Sequence, residues 1–456
     1  MRSSGDSRPP AQTAPQHATT TLAEPPAAAP AARGRRMAWL DALRGFAALC
    51  VVFSHFSEHD LTALRGPIYD VFDPGLYGVF VFFLVSGYIV PASLERKGSI
   101  RTFWLSRVFR LFPLFVVAIG AVFLLHPFGY TTFASDQQHP VATVLAHSFM
   151  LNDFLAVSPM INVMWTLSYE MVFYLLITAL FTVGVHKRSG RIALVFAIGA
   201  LALGGILPSN WFATQGYGLT KVALIADALV IGGIGLAVLG RRISRTVGAL
   251  LAAATGLVLL MFNEQTSAFE GLTIMALMFT GTLLYRAERG TVSRRKAGIA
   301  VGGVFLLTLV AGVWHIEQTS PGMDMLPIQR EWIFSLLFAA LTFAVGMAVR
   351  NRPVPAVLAW LGLVSYSVYL LHPVLLSVYI HTPWMSASHP FAIQVLLGLA
   401  FLAVTLACCA LTYYLVEAPM QRLGRRLSQR LDARFGPDRL TAAQPAAQER
   451  QRVLAR

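Results

Sequence analysis

The sequence predicts an all-α polytopic membrane protein with about 10–12 transmembrane helices and both termini in the cytoplasm. Of its 456 residues, 56% are hydrophobic and only 13% are charged, a composition unlike that of soluble domains. Lys and Arg exceed Asp and Glu by 14, but they fall in short segments between long apolar runs. We therefore interpret the basic residues as topology signals, and we expect no nucleic-acid partner.

Twelve apolar stretches approach the length of roughly 20 residues that a helix needs to cross a bilayer. They lie near residues 39–57, 76–94, 108–126, 163–183, 191–207, 222–239, 246–262, 270–285, 298–314, 333–349, 356–378 and 393–416. The shortest stretches leave 10 or 11 spans open as alternatives. A run from Val141 to Leu151 is too short to span and predicts an interfacial or re-entrant segment.

The charge of the loops predicts their sidedness. Alternate loops hold 24 Lys and Arg residues in one set and only three, Arg65, Lys221 and Arg330, in the other set. Because Lys and Arg collect in short cytoplasmic loops, this asymmetry predicts cytoplasmic termini and an even number of spans.

The chain divides into three predicted parts. Residues 1–36 are rich in Pro and Ala and predict a disordered N-terminal tail. Residues 37–420 form the predicted membrane domain, and residues 421–456 form a basic cytoplasmic C-terminal tail that is too short for an ordinary second domain. The three cysteines lie in apolar stretches, so neither a disulfide framework nor a cysteine-based metal site is expected.

The first predicted helix contains Asp41, Arg44 and His55 in an otherwise apolar run. Ionisable groups inside a span cost about 2.5–3.5 kcal/mol each on insertion scales, which makes each one a candidate for function. A separation of 11 residues returns His55 to within about 20° of Arg44, about 16 Å further along the axis. Asp41 precedes Arg44 by one turn and can pair with it. The alternative is that Arg44 snorkels to the interface and His55 bonds another helix.

Two further arginines, Arg107 and Arg110, are three residues apart and therefore adjacent on a helix surface near the cytoplasmic side. Guanidinium groups suit phosphate because their donors form a rigid, permanently charged fork. The pair predicts an anion site, although the general enrichment of cytoplasmic loops in basic residues is an alternative explanation.

Polar residues also occur in two later predicted helices: Glu170 in the fourth, and Ser365, Tyr366 and His372 in the eleventh. For straight helices with about 1.5 Å rise per residue, His55, Glu170 and His372 fall in one layer in the outer half of the bilayer. The arginines form a second layer on the cytoplasmic side.

Six motifs in this order resemble the acyltransferase 3 family of integral membrane O-acyltransferases, over roughly residues 37–420. They are Leu40-Asp41-Ala-Leu-Arg44-Gly45 with an Arg-x10-His spacing to His55, Gly78 to Tyr88, Arg107-Val-Phe-Arg110, Trp165-Thr-Leu-Ser-Tyr-Glu170, Ser365-Tyr366 to His372-Pro, and Glu417-Ala-Pro419. Thr166 stands where the family usually has Ser, and Pro373 follows the histidine where an aromatic residue is frequent. No fused extracytoplasmic hydrolase-like domain is expected.

The resemblance implies transfer of an acyl group, often acetyl from acetyl-CoA, to a hydroxyl of an envelope glycan, lipid or similar acceptor. It places the protein in the bacterial cytoplasmic (inner) membrane. His55 matches the catalytic histidine, and Arg44, Arg107 and Arg110 match the arginines that bind the donor. Acyl-CoA is then a substrate, and no permanently bound cofactor or metal is expected. The acceptor and the oligomeric state stay open.

The predicted mechanism uses His55 as a general base, because imidazole can accept a proton near neutral pH. Glu170 or Asp41 is expected to orient it, with Glu170 favoured by depth, and His372 is the rival base. Two other classes stay open: a proton-coupled secondary transporter with His55 and Glu170 as a proton relay, and a non-catalytic membrane partner.

Overall fold

The computed structural model describes residues 31–134, 139–215, 218–319, 322–385 and 389–436. All regular secondary structure in this part of the chain is helical, and it contains no strand. Its helices are α1 Ala31–Phe56, α2 Thr62–Tyr69, α3 Pro74–Lys97, α4 Ile100–Leu125, α5 Pro140–Ser148, α6 Trp165–Thr182, α7 Ser189–Leu203, α8 Trp211–Thr214, α9 Leu219–Leu239, α10 Arg242–Phe262, α11 Ala268–Glu288, α12 Arg294–Thr319, α13 Leu326–Val349, α14 Ala356–Tyr379, α15 Phe391–Thr412 and α16 Ala418–Phe435.

Within the described residues, 11 helices are long and apolar enough to cross a membrane, which confirms the predicted all-α polytopic class. The predicted stretch 191–207 corresponds to α7, which has only 15 residues. Its two ends nevertheless reach opposite faces of the bundle. Before α7, His186 lies 3.9 Å from Glu95 at the end of α3. After α7, the backbone N–H of Asn210 donates to the carbonyl of Glu264, just before α11.

Because α7 connects the two faces, the successive membrane-spanning helices alternate in direction, and α16 continues the direction of α15. One face, here called the basic face, carries the C-terminal ends of α3 and α11 and the helix α16. Arg286 and Glu95 form an ion pair of 2.5 Å on this face, and Arg350 and Glu288 form another of 3.0 Å. The other face is called the opposite face, and His55 lies near it at the end of α1.

Small residues allow the helices that carry the two histidines to approach closely. A Cβ on Gly362 of α14 would lie 2.1 Å from the backbone oxygen of Asp41, and a Cβ on Gly45 of α1 would lie 2.6 Å from the Cβ of Leu361. Glycine at such crossings brings backbones together in membrane bundles. The sequence therefore fixes α1 directly against α14.

The predicted interfacial run at 141–151 consists of the short helix α5 followed by an irregular segment whose residues 150–155 are buried. Side chains from the loop before α11 satisfy its backbone: Asn263 donates to the Phe154 carbonyl at 2.8 Å, and Gln265 donates to the Asn152 carbonyl at 3.2 Å. Irregular backbone at membrane depth is tolerated where protein buries it. The segment packs beside the start of α6, where the Phe154 and Tyr169 rings lie 4.9 Å apart.

The two predicted tails fall partly outside the described residues, at 1–30 and 437–456. Residues 31–36 belong to α1. The segment predicted as a tail from residue 421 begins as α16, which continues α15 through a π-helical turn at Tyr413–Glu417. This helix packs along α4 rather than leaving the bundle, because its Gly424 allows contact with Phe109.

Candidate active site

Two histidines from the closely packed helices α1 and α14 meet near the opposite face. Nδ1 of His55 lies 2.9 Å from Nε2 of His372, and the rings stack with an interplanar angle of 16°. His372 is fully buried, whereas His55 is half-buried. The prediction that these two residues share a layer is matched by this direct contact.

The hydrogen bonds of His372 fix the proton positions of a neutral pair. Nδ1 of His372 lies 2.8 Å from the carbonyl oxygen of Val368. A carbonyl only accepts, so this nitrogen carries the proton, and Nε2 of the neutral ring is an acceptor. His55 must then donate from Nδ1 to His372. The lone pair of His55 is consequently on Nε2. Among the ring nitrogens of the two histidines, this one is available to accept a proton.

A second polar cluster surrounds Glu170 on α6. The hydroxyl of Tyr174, one turn further along α6, donates to Glu170 Oε1 at 2.5 Å, and the hydroxyl of Ser86 on α3 donates to the same oxygen at 3.3 Å. Arg107 of α4 donates to the Tyr174 hydroxyl at 3.5 Å and lies over its ring. The cluster connects the carboxylate of Glu170 to the arginines of the basic face.

Arg44 belongs to the surroundings of Glu170. The two side chains line one small cavity of about 50 Å³, together with Ser86, Thr166, Tyr366 and Tyr369. Arg44 lies in the electrostatic fields of Glu170, Asp41 and Arg110. Within the described part of the chain, no carboxylate comes within 4 Å of Arg44, so the predicted ion pair with Asp41 is not formed.

The structure separates Glu170 from the histidine pair. The hydroxyl of Thr166, one turn above Glu170, lies 2.8 Å from that of Tyr369, which precedes His372 by about one turn. These two turns place Glu170 on the order of 10 Å below His372 along the helices. The structure thus brings His55 and His372 into contact, whereas Glu170, which the sequence places in the same layer, lies deeper in the bundle. Glu170 or Asp41 was expected to orient His55, but the residue that contacts His55 is His372.

Arg107 and Arg110 line a different cavity, of about 190 Å³, which opens at the basic face and is here called the basic cavity. Its remaining lining combines basic and hydroxyl side chains with a glutamine and a glycine: Ser93, Lys97, Thr102, Ser106, Gln421, Gly424, Arg425 and Ser428. Arg110 lies in the electrostatic field of Arg44. The three predicted arginines thus occupy two adjoining cavities.

Of the other two predicted supporting residues on α14, Tyr366 bonds to another helix and Ser365 bonds within α14. Tyr366 donates to the Leu111 carbonyl of α4 at 2.9 Å, and Ser365 donates to the Gly362 carbonyl of its own helix at 2.9 Å. Sequence reasoning gave no role to Tyr174, although its i+4 spacing from Glu170 is a usable signal. It also gave none to Glu417, which is buried, accepts from Ser367 and lies in the fields of Arg110 and Arg44.

A separate acidic cluster lies in the loops of the opposite face. The Tyr169 hydroxyl donates to Glu264, and the Thr266 hydroxyl donates to the same oxygen at 3.0 Å. Burial raises the pKa of Glu264 well above its usual value and raises the pKa of Asp153 to about 7. In the folded protein these two carboxyls therefore stay protonated to a higher pH than ordinary carboxyls do.

Comparison with known proteins identifies the class to which this fold and site belong. The profile of the acyltransferase 3 family, described as an acyltransferase domain, matches residues 37–414. The chain therefore belongs to this family, and the protein is a multi-pass membrane acyltransferase.

The chain is similar over most of its length to nodulation protein 10 of Rhizobium leguminosarum bv. viciae, with 24% identity over 416 residues, 85% of this chain and 95% of that protein. It is 23% identical over 404 residues to YrhL of Bacillus subtilis (strain 168), a proposed peptidoglycan O-acetyltransferase, covering 85% of this chain and 55% of YrhL. Similarity to the O-acetyltransferase OatA of Staphylococcus aureus (strain NCTC 8325 / PS 47) is 26% over 189 residues, 37% of this chain and 29% of OatA. No solved structure matches.

Proposed function

We propose that the protein transfers an acyl group, in the first instance acetyl, from a cytoplasmic acyl-CoA to a hydroxyl of an envelope glycan or lipid. His55 is the general base. The observation that carries this proposal is the hydrogen-bond chain from His55 Nδ1 through His372 to the Val368 carbonyl, at 2.9 and 2.8 Å. It leaves the lone pair of His55 on Nε2, where it can accept a proton.

In this mechanism, His55 Nε2 takes the proton of the acceptor hydroxyl as its oxygen attacks the thioester carbonyl. The tetrahedral intermediate collapses, the C–S bond breaks, and the coenzyme A sulfur leaves with the proton held by His55. His372 stays neutral and orients His55, a positioning role comparable to that of the third member of a catalytic triad. The products are an O-acyl ester and free coenzyme A.

The two cavities support entry of the donor from the basic face. Phosphates suit the basic cavity with Arg107 and Arg110, because arginine binds phosphate through paired donors. A long pantetheine arm can continue past Arg44 and Glu170 toward Tyr369, which lies about one turn below His372. The excess of Lys and Arg on the basic face supports a cytoplasmic location for this face by the positive-inside rule.

The names of two relatives support this acceptor class, since YrhL and OatA are named for O-acetyl transfer and YrhL for peptidoglycan. Beside His55, the opposite face offers polar groups that suit a hydroxyl-rich molecule. The Tyr69 hydroxyl lies 2.5 Å from Ser54 Oγ, and the Arg65 guanidinium lies 3.9 Å from the centre of the Tyr69 ring. An acceptor hydroxyl and a donor thioester then reach His55 from different sides of the membrane.

The test uses the purified protein in proteoliposomes with acetyl-CoA labelled on the acetyl group and a glycan and lipid extract of the envelope. Transfer of label into alkali-labile esters supports the proposal. Uptake or counterflow of a solute without covalent labelling would favour a transporter and contradict it. Replacing Arg107→Lys keeps the charge but loses the paired donors, so the KM for acetyl-CoA should rise about tenfold. An unchanged KM would remove Arg107 from the donor site.

A further inference from the structure

One wall of the basic cavity is formed by α16, whose residues the sequence predicts to belong to a C-terminal tail. From α16, Gln421, Gly424, Arg425 and Ser428 face the same space as Arg107 and Arg110. Lys97, at the end of α3, also lines the cavity. A cavity that places four basic side chains from three separate helices together is a specific arrangement, and it depends on the position of α16.

Three contacts fix α16 against α4, the helix that carries Arg107 and Arg110. The hydroxyls of Ser428 and Thr102 lie 2.9 Å apart, and Arg101 forms an ion pair of 3.3 Å with Asp432. A Cβ on Gly424 would lie 2.7 Å from the Cβ of Phe109, so the two helices touch at this glycine. Arg425 is thereby held in a defined position relative to the two arginines of α4.

The cations of the basic cavity form no direct ion pair with an acid of the described residues. Within the described residues, no carboxylate lies within 4 Å of Lys97, Arg107, Arg110 or Arg425. Lys97 lies in the electrostatic fields of Arg107 and Arg425, so the cations face one another. A lined cavity with clustered charge of one sign concentrates ligands of the opposite sign.

The lining divides by depth. Arg107 is buried beside Tyr174 in the interior of the bundle, whereas Arg425 is exposed and Lys97 is half-buried at the end of α3. A coenzyme A thioester that enters toward His55 leads with its pantetheine arm. Its pyrophosphate then reaches the deeper arginines, and the phosphate on its ribose stays at the mouth.

We propose that α16 is part of the donor site and that Arg425, with Lys97, binds the 3′-phosphate of coenzyme A. This inference rests on the proposed function, because it assumes an acyl-CoA donor. It adds a specificity-determining residue from the C-terminal helix. An anionic lipid headgroup carries the same phosphate chemistry, so the experiment separates the two sources.

The experiment compares the full-length wild type with Arg425→Ala in nanodiscs of phosphatidylcholine alone, with Arg426→Ala as the matched control. Arg426 is the next residue of α16, is exposed and does not line the basic cavity. Calorimetry measures the binding of coenzyme A and of 3′-dephospho-coenzyme A. We expect the wild type and Arg426→Ala to prefer coenzyme A by about tenfold or more, and Arg425→Ala to lose this preference by binding coenzyme A more weakly.

Other outcomes separate the inference from the proposed function. If Arg425→Ala binds both ligands with the wild-type affinity, the role of α16 is overturned, but the proposed function is not. Equal weakening of both ligands would overturn the assignment to the 3′-phosphate. A wild type that binds neither ligand would contradict the acyl-CoA donor itself. If phosphatidylglycerol added to the nanodiscs binds at Arg425 while the wild type shows no preference for coenzyme A, the site is a lipid site and the inference fails.

Discussion

The ring of His372 stands 2.9 Å from the ring of His55, and its other nitrogen is already occupied by a backbone carbonyl 2.8 Å away. This arrangement gives the two histidines unequal roles. His372 cannot take a proton from an acceptor while it is buried with both nitrogens engaged, whereas His55 has a nitrogen to spare. The pair resembles a base and its orienting partner more than two interchangeable bases.

The first prediction concerns this partner. Replacing His372→Ala should lower kcat by about tenfold to a hundredfold, because His55 loses the acceptor that fixes its tautomer. His372→Gln should recover part of the activity, because an amide oxygen can accept from His55 Nδ1. Measured kcat values would contradict this role if the two variants lost activity equally, or if neither lost any.

The second prediction concerns the crossing of α1 and α14. Gly362→Ala should lower the free energy of unfolding by about 1–3 kcal/mol and reduce turnover, because its Cβ would lie 2.1 Å from the backbone oxygen of Asp41. Separating the two helices also separates His55 from His372. Gly232→Ala on α9 is the control, because a Cβ there meets nothing within 4 Å. Equal melting temperatures and activities for the two variants would show that the close crossing is dispensable.

These details show what sequence could and could not predict. Apolar run length and loop charge predict the helices, because membrane insertion acts on each segment separately. Which helices contact one another depends on their tilt and on irregular segments. The hydrophobic periodicity of the sequence reports little about either. Glu170 is the example: its position along α6 is readable from the sequence, but the depth of α6 relative to α14 is not. The hydrogen bond between His55 and His372 needed the crossing at Gly362, which no single motif specifies.

The acidic cluster of the opposite face predicts a pH dependence of stability. The pKa of Asp153 is raised by burial to about 7, whereas an unfolded Asp titrates near 3.9. The folded state therefore holds this proton more tightly, and the stability it contributes is complete below about pH 4 and is lost as the pH rises to about 7. Asp153→Asn should flatten this slope in melting-temperature measurements. Asp70→Asn, at an exposed site, should leave the slope unchanged. Equal slopes in all three proteins would contradict a buried neutral Asp153.

The sidedness of the bundle can be measured with a membrane-impermeant thiol reagent in intact cells. Asn351 is exposed on the basic face and Met323 on the opposite face. Cysteine introduced at Met323 should react, whereas cysteine introduced at Asn351 should react only after the cells are opened. The native cysteines lie within spans, which limits their background reaction. Labelling of the Asn351 variant in intact cells would reverse the proposed direction of acyl transfer.

If His55 is the base of an acyl transfer from acyl-CoA, its removal stops the transfer without preventing donor binding. Purified His55→Ala protein is compared with the wild type in proteoliposomes that contain labelled acetyl-CoA and the envelope extract, after coenzyme A binding has confirmed that the variant is folded. His55→Ala should bind coenzyme A as the wild type does but transfer acetyl groups at least about a hundredfold more slowly. Near-normal transfer by the folded His55→Ala protein would contradict this role of His55.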